Sequence, residues 1–530
     1  MKNVDLIVKT LELAGVRWAF GIPSGPALPL IDALRTSPIQ YVLTASETSA
    51  GFMASAAGAL TGTPGVCIST LGPGATNMAT GVGAAWLDSA PVIAITCNVA
   101  TPWLERRVQM RIDHHKLFEP LTKASYGLRD GYVAAPLADA LTLARAERPG
   151  PVHFDLPEDV GLATSMEEMR QPGSPAGLSP IRAQAFDEVS AALARSKRPI
   201  VVAGLALTRA ARPRRLLEFI ERQDLPFMLT QHAKGFMPEG HPNYIGVLGR
   251  ARRSDVQAFV DKADLIVAVG YDEIEINYEE WAGRTPIAHL SSQKTEPSED
   301  LCLLVNEAGD LDAAIESLAS LPAQTNDWQR GEFEAHMLKL DAALRPESTF
   351  ATHHVLDVLR RKLRPDDILA YDVGAHTHQI ATQWRTDVPN TCISTNGWSS
   401  MGYGLPAAYA AKLVHPERTV VGVVGDGCFQ MTAGELAVGR RLGLSVPIVV
   451  LNDGWLSLLK VKQEHKQYAL AGVNLGKPPP SPQHYFGVPC RGVSNGIEFD
   501  EALEWALNLG GPSVIEAFVD ASVYSQTVYD

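Results

Sequence analysis

The chain has 530 residues, too many for one hydrophobic core, so two to four domains are expected. Hydrophobic residues make up 46% and charged residues 20%, the composition of a globular protein and not of a disordered one. A formal net charge of -13 with no basic run to reverse it locally argues against nucleic acid or an anionic membrane surface as a partner.

The chain opens "MKNVDLIVKTLELAGVRWAFGIP", with Asp5, Lys9 and Glu12 set among apolar residues. That pattern predicts an amphipathic helix running into a strand and not an uncharged signal core. No apolar stretch reaches the roughly 18 residues that span a bilayer. The six cysteines are scattered with no CxxC pair, so neither a disulfide framework nor a structural zinc site is expected, and the cytoplasm is the expected location.

Three blocks follow in chain order. In residues 1–165, the apolar runs "RWAFGI", "TPGVCIST", "PVIAITCNV" and "PVHFDLP" alternate with helical stretches such as "SAGFMASAAGALTG". The Gly- and Pro-punctuated "SMEEMRQPGSPAGLSP" is a linker. A second block, 181–340, has strands "RPIVVAGLAL" and "ADLIVAVGYD" and ends in the charged, strand-poor "PAQTNDWQRGEFEAH". The third, 350–530, has "DDILAYDVG", "RTVVGVVGDG", "VPIVVLNDG" and "PSVIEAFVD". The expectation is α/β throughout: three doubly wound domains, each a parallel sheet covered by helices.

Two neighbouring apolar strands of the third block each end in an aspartate, Asp426 in "GDG" and Asp453 in "LNDGW". Ligands of open α/β sheets sit at such strand ends, where loops feed helix N-termini. Gly425 and Gly427 permit a tight turn toward an anion such as phosphate. An acid beside a phosphate needs a cation between them, and two hard oxygen donors suit Mg²⁺. Helix capping is the plainer role for either aspartate alone.

GDG followed some two dozen residues later by an Asn-containing turn resembles the cofactor motif of thiamine diphosphate enzymes. Nearly the whole chain resembles their acetolactate synthase, pyruvate oxidase and 2-oxoacid decarboxylase group. The resemblance implies a pyrimidine-binding domain (1–165), a central nucleotide-fold-like domain (181–340) and a diphosphate-binding domain (350–530). It also implies that Asp426, Asp453 and the backbone oxygen of Trp455 hold Mg²⁺, and that Gly427 and Cys428 meet the phosphates through backbone N–H groups. Asp453 stands where the family usually has an amide, a change that adds negative charge beside the diphosphate. "YDVGAHTHQ" resembles the second phosphate loop, bringing in Gly374 and His376. "NGWSSMGYGLPAAYAAKL" matches the segment whose methionine, here Met401, wedges between the cofactor rings, with the Ser399 carbonyl on the exocyclic amine.

"TASETSAGFMASAAGAL" resembles the segment whose glutamate, here Glu47, shares a proton with N1′ of the aminopyrimidine, so that the neighbouring amine strips the thiazolium C2 proton. "TLGPGATN" then places Pro73 and Asn77 near Glu47. Family geometry further implies that Glu47 serves a cofactor held by another subunit, hence a homodimer or homotetramer.

The substrate stretch departs from the synthase pattern. In "FGIPSGPALPLIDAL", Ser24 and Pro26 flank Gly25 where a glycine and an alanine are expected. In "RVQMRIDHHKLFEPLTKAS", Met110 stands at the position of a carboligase glutamine, and Gln109 is the alternative occupant. His114 and His115 resemble the proton-handling histidine pair of pyruvate decarboxylases, with a polar domain face as the competing role. Leu458 and Leu459 fall where synthases have Met-Val. Lys462 replaces an acceptor-selecting tryptophan, and snorkelling to solvent is preferred for it over receiving a carboxylate. "VAVGYDEIEINYEEW" lacks the arginine-containing segment of flavin-binding members, so FAD is not expected.

The expected function is a carboligase that decarboxylates a 2-oxoacid and transfers the acyl anion to a carbonyl acceptor. A simple 2-oxoacid decarboxylase or aldehyde lyase is the alternative. A non-catalytic relative is disfavoured because Glu47, Asp426 and Asp453 are all retained.

Overall fold

The ten apolar runs singled out above are all strands of three sheets. The computed structural model describes residues 1–276, 281–299 and 301–528; residues 277–280 of the "VAVGYDEIEINYEEW" stretch lie outside them. The first sheet contains β1 (Trp18–Gly21), β2 (Gln40–Leu43), β3 (Gly65–Thr70), β4 (Val92–Asn98), β5 (Ser125–Gly127) and β6 (Pro151–Pro157), in the order β2-β1-β3-β4-β6-β5. The second contains β7 (Pro199–Ala203), β8 (Phe227–Leu229), β9 (Tyr244–Val247), β10 (Leu265–Val269), β11 (Ile287–Ser291) and β12 (Leu303–Ala308), in the order β12-β11-β10-β7-β8-β9.

The third contains β13 (Ile368–Tyr371), β14 (Cys392–Ile393), β15 (Val420–Gly425), β16 (Pro447–Asn452), β17 (His484–Tyr485), β18 (Val488–Val493) and β19 (Ser513–Phe518), in the order β14-β13-β15-β16-β19-β18-β17. Pairing is parallel throughout except between β17 and β18. Strands such as β4 and β16 are buried along their whole length. Helices cover both faces of such a sheet, which is why these strands read as unbroken apolar runs.

The helix Glu47–Thr61 starts where the Ser46 side chain accepts from the Ser49 amide at 3.1 Å, and it stops at Gly62 in the left-handed conformation. It crosses the helix Pro73–Leu87 at backbone contact: a Cβ on Gly81 would stand 2.5 Å from the Gly51 Cα. Its other face meets the Ala-rich helix Gly404–Val414, with Phe52 edge-on to Tyr403 at 5.4 Å between ring centroids. One continuous core therefore joins the first and third domains through Phe20, Phe52, Leu405 and Val424. Truncating a buried Phe such as Phe52 to Ala costs about 3–5 kcal/mol.

The charged stretch that closes the second block ends in a helix, Arg330–Ala343, preceded by Trp328 stacked on Phe259 at 4.9 Å. Residues 165–180 contain no helix or strand. They are tied down by Glu167, whose carboxylate accepts from the Val133 and Ala134 amides. All six cysteines are free thiols. Among the described residues, no helix is long and apolar enough to cross a membrane.

Candidate active site

Three acidic residues stand at the C-terminal tips of β13, β15 and β16. Asp372, fully buried, accepts from the Gly402 and Gly404 amides at 2.9 and 2.8 Å and so pins the turn after Met401. Asp426 accepts from the amide of Gly427 at 2.8 Å and, across to the next strand, from that of Gly454 at 2.7 Å. Asp453 accepts from the Trp455 amide at 2.9 Å and the Ser457 hydroxyl at 2.8 Å.

Parallel pairing of β15 with β16, Gly425 opposite Leu451, brings the two tips together. Burial raises the pKa of Asp426, and burial followed by the Asp426 charge pushes Asp453 up to about 7. Two mutually repelling carboxylates, one buried and one half-buried, are a donor set that a hard divalent cation relieves. Among the described residues no group of three or more His, Cys, Asp or Glu side chains is placed to hold a metal. An ion here would complete its shell from backbone carbonyls and from oxygens of a bound ligand.

The His376 ring fills the space between two glycines. A Cβ on Gly374 would lie 2.9 Å from its Cε1, and one on Gly425 3.1 Å. Its Nε2 is buried without a hydrogen-bond partner, and burial pushes the imidazole down to about 4, so it is neutral. An orphaned ring nitrogen beside a GDG turn fits a phosphate oxygen. The thiol of Cys428 donates to the Val373 carbonyl at 3.1 Å. Gly427 differs from expectation: its N–H is already directed to Asp426 and not outward. Its Cα is approached closely by Met401, since a Cβ there would meet Met401 Cε at 3.1 Å. Met401 thus overhangs the GDG turn, and Ser399 lies just before it in a left-handed conformation, φ 49°.

The Glu47 end is built from the first domain. Glu47 is 8% exposed and accepts from the Asn77 side-chain amide at 3.1 Å. Gly74 leaves room for it, as a Cβ there would approach its Oε1 to 3.2 Å. The amides of Ala45 and Ser46 donate to the buried carboxylate of Glu435, which reaches over from the third domain. Pro73 opens the next helix and is exposed. Among the described residues, no hydrogen bond or ion pair links Glu47 to Asp426, Asp453 or His376 within the chain.

His114 is wholly engaged. Its Nε2 accepts the Gly72 amide at 3.2 Å, so its proton sits on Nδ1, which faces Asp155 at 3.0 Å. Although burial opposes it, the His114 hydrogen bond holds the Asp155 carboxyl below its ordinary range. His115 Nδ1 shares Ser125 Oγ with His153, and burial pushes His153 down to about 3. Gln109 and Met110 have exposed side chains, while the Met110 carbonyl packs on Gly72. Ser24 caps the turn Gly25–Ala27, which contains Pro26, and its hydroxyl is buried without a partner.

A cavity of about 430 Å³ between the second and third domains gathers Gly374, Ser399, Leu458 and Lys462 with Arg250, Arg253, His378 and His465. Lys462 is half-buried on the cavity wall. Leu459, one residue after Leu458 on the same helix, is 48% exposed and lies off the cavity. A larger cavity, about 720 Å³, opens at the junction of all three domains and contains none of the expected site residues.

Sequence reasoning missed Asp372, Glu435, His378 and the two arginines. Asp372 carried the same strand-tip signal as Asp426 and Asp453, and "GRARRS" carried an evident density of positive charge.

Three family models match the chain. Residues 1–117 match the thiamine pyrophosphate enzyme N-terminal TPP binding domain, residues 186–318 the central domain, and residues 372–517 the C-terminal TPP binding domain. A probable acetolactate synthase large subunit of Methanocaldococcus jannaschii is 28% identical over 98% of this chain and 92% of its own length. The acetolactate synthase isozyme 1 large subunit of Escherichia coli is 29% identical over 98% and 94%. The acetolactate synthase large subunit of Corynebacterium glutamicum is 30% identical over 87% and 76%. With all three family models matched in order and acetolactate synthase large subunits aligned over 87–98% of its length, the chain belongs to the thiamine pyrophosphate-dependent enzymes of the acetolactate synthase group.

Proposed function

We propose that this enzyme uses thiamine diphosphate and Mg²⁺ to decarboxylate a 2-oxoacid and to transfer the acyl unit to a second carbonyl compound. The observation that carries the reading is the pairing of Asp426 and Asp453 beside the unpartnered Nε2 of His376. When bound, thiamine diphosphate supplies a carbon nucleophile and an electron sink for loss of CO₂.

The chain's own residues divide the remaining work. Asp426, Asp453 and the Trp455 carbonyl would hold Mg²⁺, and the His376 ring would stand against a phosphate. Backbone groups of Gly374, Gly425 and Cys428 shape the seat, while the Gly427 amide serves by aiming the Asp426 carboxylate. Met401 would pack against the cofactor rings, and the Ser399 carbonyl would receive its exocyclic amine. Glu47 would present its carboxyl group to the pyrimidine ring and is oriented by Asn77. The family resemblance supports a complete site formed between the first domain of one subunit and the third of another.

Product analysis with pyruvate tests the reaction. Acetolactate or an acyloin supports carboligation; acetaldehyde alone defeats it in favour of a simple decarboxylase.

A further inference from the structure

Ala45 and Ser46 join β2 to the helix that Glu47 begins, and among the described residues Glu435 is the only acceptor of either amide. Oε1 of Glu435 takes the Ala45 amide at 3.0 Å and the Ser46 amide at 3.1 Å, and Oε2 takes the Ala45 amide at 3.1 Å. The side chain crosses from the third domain, where the turn Ala433–Glu435 follows directly on the helix Asp426–Thr432. Gly434 of that turn is seated against Ala45, since a Cβ on it would stand 3.4 Å from the Ala45 Cβ. The Arg441 guanidinium donates to the Leu43 carbonyl, so the third domain grips both ends of the stretch 43–46.

Glu435 is 1% exposed and, among the described residues, forms no ion pair. Burial raises its pKa, and the Ala45 amide, the Ser49 hydroxyl and the Ser46 amide oppose that rise. Packing alone does not call for a buried carboxylate without a cation, because burying a charge is costly. What this carboxylate holds is the start of a helix. Ser46 is the cap, its hydroxyl accepting from the Ser49 amide at 3.1 Å and its own amide fixed by Glu435. Glu47 is the first residue of the helix. Its side chain is steered by Asn77, and the backbone that carries it is steered by Glu435.

We infer that Glu435 is a positioning residue for Glu47, fixing through the Ala45 and Ser46 amides where that carboxyl stands. The inference rests on the proposed role of Glu47 and adds the residue that sets it. A carboxyl that must meet one ring nitrogen tolerates little displacement, as a shift of about 1 Å can cost about 10²-fold in rate.

Two measurements on the full chain test it. In the apoprotein, amide hydrogen exchange over residues 44–48 should quicken about tenfold or more in Glu435→Gln, which keeps only one acceptor oxygen. In the protein loaded with thiamine diphosphate and Mg²⁺ but no substrate, exchange of the thiazolium C2 proton for deuterium should slow about fivefold to fiftyfold in the same variant. Added to Glu47→Gln, Glu435→Gln should slow it by no more than about twofold further, because a residue that acts through Glu47 has nothing left to position. Wild-type C2 exchange in folded Glu435→Gln overturns the inference. So does a fully additive loss in the double variant, the mark of a structural role alone. Should Glu435→Gln fail to fold, Glu435→Asp, which keeps the charge and shortens the reach, takes its place with the same expected losses. If Glu47→Gln itself exchanges C2 at the wild-type rate, the reading of Glu47 fails; if Glu47→Gln is slow and Glu435→Gln is not, this inference alone fails.

Discussion

Gly72 donates its backbone N–H to Nε2 of His114, and on its other side a Cβ would strike the Met110 carbonyl at 2.1 Å. With φ at 58°, the position suits glycine alone, and His114 is the clamp that holds it. Because both ring nitrogens are engaged, His114 positions the loop that leads to Pro73 and Asn77 and has no nitrogen left for the substrate.

His114→Gln is therefore expected to destabilise the protein by about 1–3 kcal/mol, since Asp155 loses one of its buried partners and Gly72 its acceptor. It should lower kcat without changing the shape of its pH profile. A profile that loses one limb in this variant would restore His114 to proton transfer.

The Glu47–Asn77 pair makes a graded prediction. Glu47→Gln removes the acid–base carboxyl and should cost about 10²–10⁴ in kcat. Asn77→Ala removes only the orienting hydrogen bond to the Glu47 carboxyl, roughly 1–3 kcal/mol or about fivefold to a hundredfold. Steady-state rates with saturating cofactor, alongside cofactor titration by tryptophan fluorescence, separate the two. Equal losses in both variants would mean that Asn77 does more than orient.

Metal removal should disassemble the diphosphate seat. Treatment with EDTA is expected to abolish activity and to weaken thiamine diphosphate binding, with Mg²⁺ restoring both. Asp426→Ala should prevent that restoration, because it also frees the Gly427 and Gly454 amides that aim the turn. Asp453→Asn keeps an oxygen donor and should retain Mg²⁺-dependent binding at reduced affinity. A cofactor affinity indifferent to Mg²⁺ would refute the ion's place between these strands.

Acid sensitivity follows from buried neutral histidines. Burial pushes His153 down to about 3 and His353 to about 4, below the ordinary value. A histidine depressed in the folded state stabilises the fold above its unfolded pKa of about 6.5 and loses that contribution as pH falls toward the folded value. Stability of the apoprotein should thus decline below about pH 6.5, each such histidine adding up to about 1.4 kcal/mol per pH unit. Urea midpoints between pH 7 and about pH 5 measure this, and His153→Gln should flatten the slope. A flat profile across that range would contradict neutral burial.

Local chemistry made much of this protein readable from the chain alone. Val- and Ile-rich runs buried on both faces announce parallel strands wherever they occur, and a strand-tip aspartate between glycines announces an anion site, because neither depends on distant residues. The short edge strands β5, β14 and β17 carried no such signal, being two or three residues long and only partly buried. What folding alone decided is where separate segments meet. The Asp372 grip on Gly402, the reach of Glu435 to the segment before Glu47, the engagement of both nitrogens of His114, and the gathering of Arg250, His378 and Lys462 around one cavity each join residues distant in the chain. Such contacts depend on how sheets and helices pack in three dimensions, and periodicity in one dimension does not encode the direction in which a side chain finally points.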